Sequence, residues 1–112
     1  MCGIYATNFP FTVKEIRVKL KTIEFRGPDY TGVLQKDKLS FGHLRLSIID
    51  LDVRSNQPMQ MEDYTIVFNG EIYNFQDIKD ELTSLGHTFN TTGDTEVLLK
   101  AYQEWGQAAV PK

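Results

Sequence analysis

Apolar positions recur along this chain at two spacings, and the switches between them lay out its elements. Residues 2–8 (Cys-Gly-Ile-Tyr-Ala-Thr-Asn) read as a short strand ended by Asn8-Phe9-Pro10. Thr12-Val13-Lys14-Glu15 has the form of a capping box, a hydroxyl at the N-cap and a carboxylate three residues on. Val13, Ile16, Leu20 and Ile23 then follow at helical spacing, until Arg26-Gly27-Pro28-Asp29 breaks the pattern. Residues 30–35 and 39–45 flank the turn Lys36-Asp37-Lys38 and predict a hairpin. The nearly all-apolar run 46–51 predicts a strand buried on both faces. A polar loop over 53–57 leads to Pro58, and 64–69 predicts a further strand stopped by Gly70.

The last third is helical in pattern. Asn74 is the expected N-cap of a helix running to about Leu85, with Ile78, Leu82 and Leu85 on one face and Gly86 as its stop. His87-Thr88-Phe89 predicts a short strand, and Asp94 the cap of a second helix with Leu98, Tyr102 and Trp105 along its apolar face. Helices interleaved with several strands predict an α+β architecture in which sheet layers are covered by helices.

Composition narrows the class. At 112 residues the chain is expected to build one modest core, not two independent ones. Seven Phe, five Tyr and one Trp argue against disorder, because such side chains supply apolar area that offsets chain entropy. The net charge of −3 gives no reason to expect nucleic acid or an anionic membrane as partner. No apolar run approaches the roughly 20 residues of a membrane span, and the first residues lack the basic and apolar regions of a signal peptide. A single cysteine makes no internal disulfide, which favours a reducing, cytoplasmic compartment.

That cysteine is residue 2, and its position gives it a chemistry. Removal of Met1 would leave Cys2 with a free α-amino group, a base that titrates near pH 8, on the same residue as the thiol. One residue would then supply nucleophile and general base together. Packing of the first strand is the plainer use of a cysteine there. Other segments supply what an acyl-transfer site needs. Phe68-Asn69-Gly70-Glu71 offers a side-chain amide and an unhindered backbone N–H, two neutral donors suited to an oxyanion, though Asn-Gly is equally a hairpin turn. Arg45, in Gly42-His43-Leu44-Arg45-Leu46-Ser47, is bracketed by apolar residues, a setting that suits bidentate capture of a carboxylate and little else. Gly93-Asp94-Thr95-Glu96 puts a carboxylate at a helix start, where an N-cap is the simpler reading. His43 and His87 form no dyad with Cys2 and no metal-ligand spacing, so no metal is expected. Lys14, Arg17, Lys19 and Lys21 belong on a solvated helix face, and Asn90-Thr91-Thr92 matches a glycosylation sequon by accident.

Taken together, Met1-Cys2-Gly3-Ile4, Arg26-Gly27-Pro28-Asp29, Gly42–Ile48, Gln57-Pro58, Phe68–Asn74 and Gly93–Glu96 resemble the class II, N-terminal-nucleophile glutamine amidotransferases. Leu44–Ile48 and Asn69–Asn74 are most similar to the branch found in glutamine-hydrolysing asparagine synthetases. The resemblance implies a four-layer αββα sandwich and hydrolysis of L-glutamine through a Cys2 glutamyl thioester. It implies that Asn69 and Gly70 hold the oxyanion and that Arg45, with backbone groups of Leu46, Ser47, Ile48 and Ile49, binds the α-carboxylate. Asp94 and Glu71 would face the α-ammonium. No cofactor is implied for this chain; ATP and Mg would belong to a C-terminal synthetase domain that takes the ammonia to amidate aspartate. A homodimer is a further possibility of the resemblance.

Two departures stand out. Phe25 occupies the place of a family histidine before Arg-Gly-Pro-Asp, which predicts an altered loop contact without loss of activity. The family domain is nearly twice as long, so residues 1–112 are expected to be the N-terminal part of a truncated glutaminase domain. Two alternatives remain open at this stage: an inactive fragment acting as a binding or oligomerisation module, and an amidotransferase that feeds a sugar or antibiotic precursor.

Overall fold

A computed structural model describes residues 1–48 and 50–112. Its elements are β1 (Gly3–Thr7), α1 (Val13–Lys21), β2 (Tyr30–Lys36), β3 (Leu39–Arg45), β4 (Met59–Met61), β5 (Tyr64–Ile66), α2 (Phe75–Ser84) and α3 (Asp94–Trp105). Short 3-10 turns lie at Glu24–Arg26, Val53–Ser55 and Gly106–Ala109. The mixed α and β content agrees with the expected class.

α1 begins where the sequence says it should. Thr12 Oγ1 accepts from the Glu15 N–H at 3.2 Å, and Glu15 Oε2 accepts from the Thr12 N–H at 2.7 Å, so two otherwise orphaned donors are satisfied reciprocally. The helix lays Ile16 and Leu20 against Leu44, with Tyr5, Phe11, Ile23 and Val33 around them. Lys14, Arg17, Lys19 and Lys21 are exposed, as expected.

The sheet beneath α1 is antiparallel in the order β1-β3-β2, with Gly3 opposite Leu44 and Ile4 opposite His43. On β2, Gly32 lies opposite His43 and Tyr30 opposite Arg45. Period-two alternation along β3 therefore sorts its side chains. Leu44 faces α1, while His43 and Arg45 face the other way. A Cβ on Gly3 would point into Ile23 and Leu44, so Cys2 and Ile4 belong to the same face as His43 and Arg45. A Cβ on Gly32 would lie 2.0 Å from the Gln57 carbonyl oxygen, which shows that the Gln57-Pro58 segment crosses that second face. The hairpin turn is tighter than expected: Lys36 pairs with Leu39, leaving Asp37 and Lys38 as the loop, with Asp37 at φ 54°.

Three expectations are corrected here. Residues 46–48, 50 and 51 form no strand; Ile48 and Leu51 are 68% and 77% exposed. The reason is electrostatic capture. Asp29 N–H donates to the Arg45 carbonyl, and Asp29 Oδ2 accepts from the Ser47 N–H at 2.7 Å, so side-chain and loop bonds replace a ladder as the chain leaves β3. The strand expected over 64–69 stops at Ile66, and its partner is β4, which the sequence pattern did not reveal. His87-Thr88-Phe89 is irregular because the end of α2 closes on itself: the His87 N–H donates to the Leu82 carbonyl and the Gly86 N–H to Thr83, with Gly86 at φ 99°.

The single-core expectation is also revised. A second apolar cluster of Leu82, Val97, Ala101 and Ala109, flanked by Phe75, Ile78, Phe89 and Trp105, joins α2 to α3. On α3 the buried stripe runs through Val97, Ala101 and Trp105, not Leu98, Tyr102 and Trp105; Tyr102 is exposed and stacks edge-on against Tyr64. Leu85 is exposed at the end of α2. Neither of the caps predicted for α2 and α3 makes its bond. The N-cap of α3 is Gly93, and the Asn74 side chain reaches the Lys112 carbonyl instead of its own helix.

Candidate active site

A cavity of about 440 Å³ opens on the face of the sheet opposite α1. Cys2 enters it from the start of β1 and Arg45 and Leu46 from the end of β3. Asn69, Gly70 and Glu71 line it from the segment after β5, and Asp94 from the first turn of α3. Residues from Cys2 to Asp94 thus meet because the start of β1 and the end of β3 lie side by side at one end of the sheet, with Gly3 opposite Leu44, and the start of α3 lines the same cavity. Ile48 also lines the cavity, Ser47 does not, and Ile49 lies outside the described residues.

The Cys2 thiol is bracketed by one residue. The Leu46 N–H donates to Sγ at 3.3 Å, and the thiol lies 3.7 Å from the Leu46 carbonyl oxygen. The Cys2 carbonyl accepts from Arg26 Nε at 3.1 Å. Arg26-Gly27-Pro28-Asp29 is therefore more than a turn. Arg26 fixes Cys2, Gly27 lies against the Leu44 backbone with no room for a Cβ, and Asp29 holds the exit from β3. Phe25 points outward and is 80% exposed.

Arg45 is only 6% exposed, and its guanidinium gathers a loop. Nη1 donates to the Asp52 carbonyl at 2.9 Å and to Asn56 Oδ1 at 2.7 Å, and Nη2 donates to the Asp50 carbonyl. A buried arginine here thus has a use that the sequence pattern did not suggest: organising residues 50–56 around its charge. Within the 46–49 run whose backbone groups are expected at the α-carboxylate, the Leu46 N–H donates to Cys2 Sγ and the Ser47 N–H to Asp29 Oδ2.

Asp50 and Glu96, which the sequence did not single out, and Asp94, which it did, tie the remaining loops together. Asp50 Oδ2 accepts from the Ser55 hydroxyl at 2.6 Å and from the Thr92 N–H at 2.8 Å, while Oδ1 accepts from the Asp52 N–H. The Ser55 hydroxyl is the main reason its carboxyl is held well below the usual carboxylate range; burial opposes it, and the Thr92 and Asp52 N–H groups add to the lowering more weakly. Glu96, 2% exposed, accepts from the backbone N–H groups of Asn90 and Thr91 and from the Thr91 hydroxyl. Lys100 is its charged neighbour at 3.6 Å. Asp94 Oδ2 accepts from the Ile72 N–H at 3.0 Å, which links the start of α3 to the segment carrying Asn69 and Gly70. A glutamate in the first turn of a helix is visible in sequence, but its burial is not.

Gln57 completes the frame. It is 7% exposed; its Oε1 accepts from the Phe68 N–H at 2.6 Å and its Nε2 donates to Thr95 Oγ1 at 3.2 Å. His43, fully buried, stands at hydrogen-bond distance (3.2 Å) from the Phe68 carbonyl through Nε2. Burial pushes its imidazole below the ordinary value of 6.5; the Phe68 carbonyl opposes that shift and the Arg45 charge reinforces it, both more weakly. His87 lies elsewhere, paired with Glu104 at 2.7 Å. Among the described residues no helix is long and apolar enough to cross a membrane.

Comparison with known proteins identifies the family. Residues 1–112 match the family described as the glutamine amidotransferase domain. Glutamine-hydrolyzing asparagine synthetase 1 of Bacillus subtilis is 47% identical over 92 residues, covering 80% of this chain and 14% of its own length. The glutamine-hydrolyzing asparagine synthetase of Sandersonia aurantiaca is 37% identical over 117 residues, covering 98% and 22%. That of Arabidopsis thaliana named as number 1 is 37% identical over 113 residues, covering 95% and 19%. The chain spans less than a quarter of the length of these relatives. Because the family match runs the whole length of the chain and these relatives all carry glutamine hydrolysis in their names, this chain belongs to the glutamine amidotransferase domain family.

Proposed function

We propose that this chain is the glutaminase part of an asparagine synthetase, with Cys2 as its nucleophile. Removal of Met1 frees the α-amine, which takes the thiol proton as Sγ attacks the side-chain amide carbon of L-glutamine. The negative charge that develops on the amide oxygen is met by the Asn69 side-chain amide and the Gly70 N–H. Losing one such donor typically costs about 10²–10³ in rate. Collapse breaks the C–N bond, the α-ammonium returns its proton to the nitrogen, and ammonia leaves a glutamyl thioester on Cys2. Water, deprotonated by the same amine, then adds to the thioester carbon; the C–S bond breaks, glutamate leaves, and the α-ammonium returns its proton to the Cys2 thiolate.

Arg45 meets the α-carboxylate with its positive charge, and Asp94 and Glu71 meet the α-ammonium. A free amino acid is thereby preferred over a glutamine inside a peptide. The observation that carries this reading is the convergence of Cys2, Arg45, Asn69, Gly70, Glu71 and Asp94 on one cavity. In the parent protein the α1-covered sheet would form half of an αββα sandwich. A C-terminal synthetase domain, using ATP and Mg in the cytoplasm, would pass the ammonia to aspartate, in a monomer or a homodimer.

The test is direct. Intact mass reports whether Met1 is lost, and glutamate release from glutamine is measured on the protein that starts at Cys2. Release that disappears in Cys2→Ala supports the proposal; equal release from wild type and Cys2→Ala, or none from a chain shown to start at Cys2, overturns it for this chain.

A further inference from the structure

We propose that His43 is a positioning residue for the Asn69–Gly70 donor pair, acting through the backbone of Phe68. The inference rests on the glutaminase reading and concerns how the oxyanion donors are held. β5 ends at Ile66, so the residues that follow are beyond the paired part of the hairpin. Phe68 is instead fixed at both of its backbone polar groups by side chains: His43 Nε2 at its carbonyl (3.2 Å) and Gln57 Oε1 at its N–H (2.6 Å). Its ring in turn lies directly under Gly70, where an added Cβ would sit 2.9 Å from Phe68 Cζ. A shift of Phe68 is therefore passed to Gly70 and its neighbour Asn69.

The chemistry of the contact assigns the tautomer. A carbonyl only accepts, so Nε2 must carry the proton, and in the neutral ring Nδ1 is then an acceptor. Nδ1 is buried without a hydrogen-bond partner among the described residues. A second proton there would leave a buried, unpaired donor, so the fold selects the neutral Nε2–H form. The position of His43 makes it a stiff support: it sits mid-strand in β3, between Ile4 of β1 and Gly32 of β2. With Nε2 committed to Phe68, the ring is a strut and not a proton carrier for Cys2.

Two variants of the full chain beginning at Cys2 test this. In His43→Gln the side-chain amide retains a donor toward Phe68; in His43→Leu it has none. His43→Leu is expected to lower kcat for glutamine at least tenfold while KM changes less than threefold, because the donors act on the transition state. His43→Gln should recover kcat to within about threefold of wild type. Amide exchange at Asn69 and Gly70 should quicken at least tenfold in His43→Leu only, and ring nitrogen shifts of wild type should report protonated Nε2. Equal losses in both variants, a change confined to KM, unchanged exchange in His43→Leu, or a ring protonated at Nδ1 would overturn the proposal. If wild type lacks glutaminase activity, the glutaminase reading falls, and exchange and ring shifts alone decide the strut. Should His43→Leu fail to fold, His43→Gln and the wild-type ring shifts still decide it.

Discussion

Arg26 Nε donates to the carbonyl oxygen of Cys2 at 3.1 Å, joining a residue at the chain start to one 24 positions later. Residues this close to a terminus fray unless something ties them down. Here the tie falls on the residue whose sulfur must be held against the cavity, so anchoring and chemistry meet in one contact. The Leu46 N–H, 3.3 Å from Sγ, holds the same residue from the other side.

Arg26→Gln should therefore cost activity more than stability. Turnover of glutamine is expected to fall about tenfold, one factor for roughly 1.4 kcal/mol of lost positioning. The urea midpoint should move little, since Arg26 is part-exposed and contributes no core surface. Steady-state kinetics beside equilibrium unfolding would check the split; a large drop in midpoint with unchanged turnover would contradict it.

Gly27→Ala is expected to do the opposite. A Cβ there would lie 2.3 Å from the Leu44 carbonyl carbon and oxygen, and backbone in a central strand cannot step aside as a flexible side chain can. The cost should be about 1–3 kcal/mol or more, the range of overpacked sites. Urea unfolding of the variant gives the number directly.

Arg45→Lys separates the two roles of the guanidinium. Lysine keeps the charge but cannot bridge the Asp52 carbonyl and Asn56 Oδ1 from one nitrogen while reaching Asp50 with another. We expect KM for glutamine to rise and protease sensitivity to appear within residues 46–56. If Arg45 served only as a ligand for the substrate carboxylate, proteolysis of the unliganded variant would match wild type.

The buried imidazole gives a pH dependence with a definite sign. His43 in the fold lies below its ordinary 6.5, so between the two values the unfolded chain binds the extra proton and the native state does not. Its contribution to stability is complete above about pH 6.5 and declines as the pH falls below it. Urea midpoints of wild type should drop on going from pH 7.5 to 5.5, and His43→Gln should flatten part of that drop.

Much of the secondary structure was legible because its causes are local. The Thr12–Glu15 box needs only four consecutive residues, and the Gly86 stop only a residue that tolerates positive φ. The run 46–51 misled because composition shows that residues are apolar, not whether a partner strand waits for them. What waits instead is Arg45, whose charge must be satisfied and takes the nearby carbonyls. The apolar face of α3 was misplaced by the same kind of ignorance, since Val97, Ala101 and Trp105 are selected by α2 and the last turn of the chain.

By itself the sequence determined the chemical inventory: a thiol at position 2, an amide and a glycine together, a lone arginine among apolar residues, a carboxylate at a helix start, and through their order the family. Only the tertiary structure decided which groups hold the inventory in place. Arg26 on Cys2, Gln57 and His43 on Phe68, and Asp50 on Thr92 span 24, 11, 25 and 42 positions. Contacts at such separations have no periodicity to read. They follow from strand register and from the need of each buried polar group for a partner, and both exist only once the chain has folded.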